Sequence, residues 1–196
     1  MAKRFLTRDL IVSIAFRMID EGGTESFSVR KLASKLGVQV SSLYNHIDNE
    51  YDLLLEVAKL AADMYAETIE LEIDGLTLEE SLYKGGDVFR TFVNEHKYLY
   101  ELLLDRRWIG DPEFDKVNET FTMPITNYLN QFNITDQAAR DHIYVALRVV
   151  THGYGSLDSN GIFDGLSIDT TESYHMMMKS VIELIKSISK EQRNDP

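Results

Sequence analysis

The chain has 196 residues, a formal charge of −12 and no cysteine. Its length allows a sizeable core without staples, and the missing thiols exclude a disulfide frame, a thiolate nucleophile and a cysteine-bound metal. No stretch reaches the ~20 apolar residues of a membrane helix, so a cytoplasmic protein with no membrane partner is expected.

Residues 10–16 follow basic residues as a signal peptide would. Their apolar side chains pair as Leu10/Ile11, Ile14/Ala15 and Met18/Ile19, which is amphipathic helical spacing. A first helix is therefore predicted over about 7–21, with Thr7 as N-cap and Gly22-Gly23 as its stop. Ser28 caps a second helix over about 29–36, which Gly37 ends. A short third helix follows over about 40–46. A long fourth begins near Asn49 and turns Leu53, Leu54, Val57, Leu60, Ala61 and Met64 inward, fraying near Asp74-Gly75. Further helices are predicted over about 78–94, 98–104 and 112–132, and Pro124 is expected to kink or break the last of these.

The final two helices, over about 136–157 and 171–189, are the most regular. Ile143, Leu147, Val150, Tyr154 and Leu157 step by 4, 3, 4, 3 along one, and Tyr174, Met178, Val181, Ile185 and Ile188 do so along the other. Such seams pack helix on helix. Val145, Val149, Ile182 and Leu184 add apolar surface off the seam, so these helices are read as burying two faces, one in their own core and one against a second subunit. The dimer interface is expected at Ile143, Leu147, Val150, Tyr154, Tyr174, Met178, Val181 and Ile185.

No strand pattern occurs, and the fold is read as all-α. It comprises an N-terminal three-helix domain over 1–50 containing a helix-turn-helix and a helical domain over 51–196. Charge divides along the chain as well. Residues 1–47 hold seven Lys/Arg and four Asp/Glu, whereas residues 48–196 hold thirteen and twenty-eight. A mildly basic head on an acidic body leaves only the head able to approach phosphates.

The run SVRKLASKLGVQVSSLYNHI over 28–47 has the length and punctuation of two helices joined by a tight turn at Gly37. Leu32, Ala33, Leu36, Val38, Leu43 and Ile47 would hold the short third helix against the second. That leaves Val40, Ser41, Ser42, Tyr44, Asn45 and His46 on the free face. Hydroxyls and amides of this kind read base edges in a major groove, and Val40 suits a thymine methyl. Tyr44, His46 and Ser28 suit phosphates.

Residues 7–65 resemble the DNA-binding head of the tetracycline-repressor (TetR) family. The resemblance rests on Gly37-Val38, Leu43-Tyr44, His46-Ile47, Asp52-Leu53-Leu54 and, upstream, Val29-Arg30-Lys31-Leu32-Ala33 with Leu36. It implies that Arg30, Gln39, Val40, Ser41 and Ser42 read bases and that Tyr44 and His46 grip phosphates. It also implies a homodimer on a palindromic double-stranded operator and a small-molecule effector in the helical body. Two positions depart from the pattern. Glu50 stands where a phosphate-binding lysine is usual, beside Asp48 and Asp52, and Gln39 replaces the commoner capping serine.

Further along, Glu95-His96 with Tyr98-Leu99-Tyr100 resembles a family feature. His152-Gly153-Tyr154, Leu157-Asp158 and Gly161-Ile162-Phe163 resemble a C-terminal type whose last two helices dimerise as a four-helix bundle. The effector pocket is expected among Phe89, Phe92, Tyr100, Trp108, Phe121, Tyr128, Tyr144 and His152; an aromatic-rich core is the other reading of the same residues. His142 and His152, with Asp141 and Asp158 near them, lack a compact metal-ligand motif, and no metal is expected. The loop 161–165 lacks the residues of a phosphate cradle and reads as a turn. With no nucleophile–base signature and no cofactor motif, catalysis and cofactors are not expected. The expected function is ligand-responsive transcriptional regulation, most simply as a repressor. An activator and a helical dimer that binds partners without DNA remain as alternatives.

Overall fold

The computed structural model describes residues 6–132 and 134–194, and the regular elements among them are helices. In chain order these are α1 (Arg8–Ser26), α2 (Val29–Leu36), α3 (Val40–Leu43), α4 (Glu50–Ile73), α5 (Leu78–Glu95), α6 (Lys97–Leu103), a 3₁₀ turn (Arg106–Trp108), α7 (Pro112–Gln131), α8 (Gln137–Ser159) and α9 (Thr170–Asn194). Lys3 and Arg4, counted in the basic head, lie outside the described residues.

Two compact units emerge. One comprises residues 1–64 and 96–120, the other 65–95 and 121–196. The division expected at residue 50 falls inside the first unit. There α4 has only just begun, and α6 returns to pack against α1.

In the first unit, the Thr7 hydroxyl caps α1 by accepting from Leu10 N–H at 3.2 Å. The helix stops at Gly22-Gly23 as expected: Gly23, at φ 72°, ψ 169°, leaves the helical region, and a separate short turn carries the span on to Ser26. Gly23 is needed twice over: its φ suits no side chain, and a Cβ would stand 3.0 Å from the Tyr98 ring. Helix α2 opens on the Ser28 cap, 3.2 Å from Lys31 N–H. It closes on left-handed Gly37, where Gly37 and Val38 N–H donate back to the carbonyls of Ser34 and Ala33. Ile11, Ala15, Ile19, Leu32, Leu43, Ile47, Leu53 and Leu99 form the core of this unit, each at most 2% exposed. Burying one such aliphatic side chain contributes about 1.5–3 kcal/mol, so this small cluster suffices to hold a one-turn helix.

Polar clamps complete the unit. Arg8 forks onto Asp52 at 2.8 and 3.1 Å and also donates to the His46 carbonyl at 2.9 Å. His96 Nδ1 meets both carboxylate oxygens of Asp20 at 3.0 Å. Tyr51 sets its ring edge against Trp108 and donates its hydroxyl to Asp111.

In the second unit, α5, α8 and α9 pack together around Leu82, Ile143, Leu147, Tyr154, Tyr174, Met178 and Ile185. The Asp136 carboxylate caps α8 at Ala139 N–H, 2.9 Å away. Tyr174 donates its hydroxyl to the Gly86 carbonyl at 2.9 Å. A Cβ at Gly86 would stand 2.8 Å from that oxygen, so α5 approaches α9 this closely only with glycine there. Arg90 joins α5 to Asp158 and Thr171, each at 2.9 Å.

Three expectations change. Helix α7 runs unbroken through Pro124. Leu60 is 40% exposed rather than inward, one helical step off the buried stripe of Leu53, Val57 and Ala61. The regular seam, assigned above to a dimer interface, is the protomer's own core. Ile143, Leu147, Tyr154, Tyr174, Met178, Val181 and Ile185 are each at most 7% exposed, and Val150 packs partly buried against them. Side chains already enclosed by their own chain have no surface left for a partner. Val145, Val149, Met177 and Leu184, off the seam, remain uncovered, as does Leu157 at the end of the seam, whereas Ile182, expected off the seam, is buried.

Candidate nucleic-acid interface and effector cavity

The recognition segment is shorter as a helix than its sequence suggested. After Val40–Leu43 the chain continues as a turn through His46. His46 N–H bonds back three residues to Leu43 at 2.8 Å, and Ile47 N–H bonds to the same carbonyl at 3.1 Å. This tightening brings Leu43 and Ile47 onto the same buried side, at 0% and 2% exposure, and pushes Tyr44 outward to 49%.

The residues expected to touch DNA fall in two groups. Arg30, Gln39, Ser41, Tyr44 and Asn45 are exposed; Ser28, Val40, Ser42 and His46 are half-buried. Ser28 spends its hydroxyl as the α2 cap. Gln39 precedes α3 without a side-chain cap bond, so its amide stays available to an outside group. His46 is anchored through its carbonyl by Arg8, which leaves the imidazole uncommitted by that bond.

Around the start of α4 the acidic residues are not equivalent. Asp52 accepts from Arg8 and from Asp48 N–H, and the Arg8 guanidinium, foremost, holds its carboxyl below the usual carboxylate range. Its charge is matched within the unit, so the repulsion expected from Asp52 is largely cancelled. Asp48 and Glu50 are exposed, and they carry the negative field at this edge. Of the nearby lysines, Lys31 donates to the Ser26 carbonyl at 2.5 Å, and Lys35 stands 3.8 Å from Glu21.

The second unit holds an apolar cavity of about 40 Å³, bounded by Tyr65, Leu82, Phe89, Ile125, Tyr128 and Leu147 among others. Of the eight residues expected to form an effector pocket, Phe89 and Tyr128 line it. Phe92, Phe121 and His152 form an aromatic layer with Phe89 and Tyr65: Tyr65–Phe121 is 4.8 Å between centroids, Tyr65–Phe92 5.2 Å and Phe89–His152 4.7 Å.

The other three do not line the cavity. Tyr100 and Trp108 are buried in the first unit, where Trp108 stacks on Phe114 at 4.8 Å and donates Nε1–H to the Leu102 carbonyl at 2.6 Å. Tyr144 is drawn to Arg148, which donates to its hydroxyl at 2.6 Å. Leu147 and Met178, read from spacing as interface residues, are cavity wall instead, as are Tyr65 and Thr151. Periodicity marks a side chain as inward without telling whether it meets another side chain or a gap.

Burial sets the protonation of this region. Desolvation, reinforced by the positive charge of Arg148, lowers His152 to about 4, so the imidazole is neutral near pH 7. Desolvation likewise pushes the phenols of Tyr65, Tyr128 and Tyr174 upward. No lining residue is charged. Among the described residues no three His, Cys, Asp or Glu side chains converge as a metal site, and no helix is long and apolar enough to cross a membrane.

Comparison with known proteins agrees with this arrangement. Residues 11–57 match the family of bacterial regulatory proteins described as the tetR family, and residues 82–181 match the family described as tetracyclin repressor-like, C-terminal domain. The helix-turn-helix-type transcriptional regulator Rv0681 of Mycobacterium tuberculosis is 25% identical over 167 residues, which covers 84% of this chain and 75% of that one. The fold is shared with the TetR regulator SCO7222 of Streptomyces coelicolor (TM-score 0.69, 13% identity, 95% and 99% of the two chains). It is shared also with ActR of the same organism in complex with actinorhodin (TM-score 0.65, 20% identity, 94% and 99%). An exposed polar turn within a helix-turn-helix head, an all-helical body and matches to both halves together place the chain in the TetR family of transcriptional regulators.

Proposed function

We propose that the protein is a homodimeric repressor that binds a palindromic operator and is released by a small molecule held in the second unit's cavity. The observation that carries the DNA-binding half is the recognition turn. Leu43 and Ile47 commit it to the core, while Ser41, Tyr44 and Asn45 are left to solvent with uncharged, hydrogen-bonding side chains. Ser41, Ser42, Asn45 and Gln39 offer donors and acceptors to base edges, with Val40 against a methyl. Arg30 reaches for a base edge beside them, while Tyr44, His46 and the α2 terminus at Ser28 hold phosphates.

A single turn of helix reads too few bases for useful specificity, which favours a dimer on two half-sites about one helical turn, or a multiple, apart. The dimer surface is assigned to the uncovered faces of α8 and α9. Val145, Val149, Gly153 and Ser156 form one stripe and Met177, Ser180, Leu184 and Ser187 the other, all exposed and at helical spacing. Release requires the effector to bind the DNA-incompetent arrangement better than the competent one. The chemistry in the cavity wall performs no catalysis in this scheme.

The test is selection from randomised duplexes by the pure protein, with Tyr44→Ala beside it. Enrichment of a palindrome by the wild type and its loss in the variant are expected. Failure of the wild type to enrich any sequence at low salt, where phosphate contacts are strongest, would overturn the reading.

A further inference from the structure

The second unit's cavity also constrains the chemistry of what enters it, and this inference rests on the effector reading above. A buried polar atom without a partner is rare in folded proteins and calls for a reason. Here there is one such side-chain atom among the described residues, the hydroxyl of Tyr128, and Tyr128 is a wall residue of the cavity that is itself 6% exposed. The Ser81 hydroxyl is close enough to bias that phenol yet does not meet it in hydrogen-bonding geometry. The other hydroxyl donor on the wall at α8 is already used: Thr151 donates to the Leu147 carbonyl at 2.9 Å.

Charge excludes more. No wall residue carries a charge, and the Arg148 guanidinium sets a positive field at Tyr65 that offsets part of the rise imposed by burial. A cation would be desolvated and repelled. An anion would lose its hydration among aliphatic and aromatic groups without an ion pair, because Arg148 is turned to Tyr144. At about 40 Å³ the cavity holds no more than a few waters. An organic molecule must widen it, and the unbranched Met178 is the adaptable part of its wall.

We propose that the effector is a neutral, mainly apolar molecule that presents one hydrogen-bond acceptor oxygen, such as a ketone, aldehyde, quinone or ester carbonyl, to the hydroxyl of Tyr128. Its apolar part lies against Phe89, Leu82 and Leu147, and the acceptor satisfies the donor that the fold leaves alone.

Four probes of nearly one shape test this on the full chain: acetophenone, isopropylbenzene, benzoate and benzamidine. Binding is read by the Met178 methyl resonance and by calorimetry, on the wild type, on Tyr128→Phe and on Leu147→Ala, which enlarges the same cavity. Acetophenone is expected to bind about fivefold more tightly than isopropylbenzene, as one neutral hydrogen bond provides. That preference disappears in Tyr128→Phe, and neither charged probe moves the Met178 methyl. Equal binding of the two neutral probes, a preference that survives in Tyr128→Phe, tighter binding of benzoate or benzamidine, or no binding to either wild type or Leu147→Ala would overturn the proposal. Operator binding by the same samples separates the two readings. The expected preference without any effect on operator binding refutes the effector role and leaves the cavity chemistry standing.

Discussion

The recognition turn and the cavity are built in opposite ways. The turn sets several hydrogen-bonding groups in water, where each is satisfied before DNA arrives, and hides only Leu43 and Ile47. The cavity gathers apolar groups and leaves the solvent-sealed hydroxyl of Tyr128 without a partner among the described residues. On the proposed reading, binding at the turn would exchange one set of polar contacts for another and gain specificity by geometry. Binding in the cavity would gain from filling space and relieving an unmet donor. The first surface would then answer to salt and sequence, the second to shape and polarity.

The contrast can be broken most sharply within a single turn of chain. Leu43→Ala is expected to cost about 2–5 kcal/mol of stability by opening a cavity under the recognition turn. Its neighbour Tyr44→Ala should stay within about 0.5 kcal/mol and yet lose operator binding. Denaturant unfolding and DNA titration on both variants check this, and equal destabilisation by the two would erase the distinction between buried and presented faces.

In the second unit His152 offers a pH test. Its folded pKa of about 4 lies below the ordinary 6.5. The unfolded chain therefore binds more protons between those values, and stability falls as pH drops from 6.5 towards 4. The loss is on the order of 3 kcal/mol. Unfolding of His152→Gln compared with wild type across that window should show a shallower slope in the variant. Parallel curves would mean that the imidazole is not desolvated.

Tyr128→Phe should be neutral or stabilising, by about 1 kcal/mol, since it removes an unmet buried donor. A melting temperature lowered by the change would show that the hydroxyl has a partner after all.

The smallest effect is expected at the edge of the DNA face. Glu50→Lys should tighten operator binding and steepen the dependence of log K on log salt by about 0.9, one added phosphate contact. An unchanged slope would place Glu50 away from the backbone.

How much of this was legible beforehand follows the same division. The head's caps at Thr7 and Ser28, the stop at Gly37 and the buried Leu43 and Ile47 are local signals, and local signals can be read along a chain. Even there the tightening of the chain after Leu43 was missed, because three-residue and four-residue hydrogen bonds fit the same sequence spacing. The body resisted for a different reason. Ile143 and Leu147 lie on one regular seam and Tyr174 and Met178 on another, both read from spacing as a dimer interface, but whether a seam faces its own core, a gap or a second subunit depends on α5, far away in the chain. Gly86 shows this: its carbonyl receives Tyr174, 88 residues later. Trp108 and Tyr100 were drawn to the pocket by aromatic character alone, whereas the return of α6 to α1 buries them in the first unit.

The exposed positions of the recognition turn carry one more consequence. Ser41, Tyr44 and Asn45 bear almost none of the folding burden, so replacements there are close to neutral for foldability. If these positions read the operator as proposed, a lineage of such proteins could drift to new operators through them without first acquiring a reserve of stability. Retargeting the cavity, where every wall residue also holds the unit together, has no such freedom.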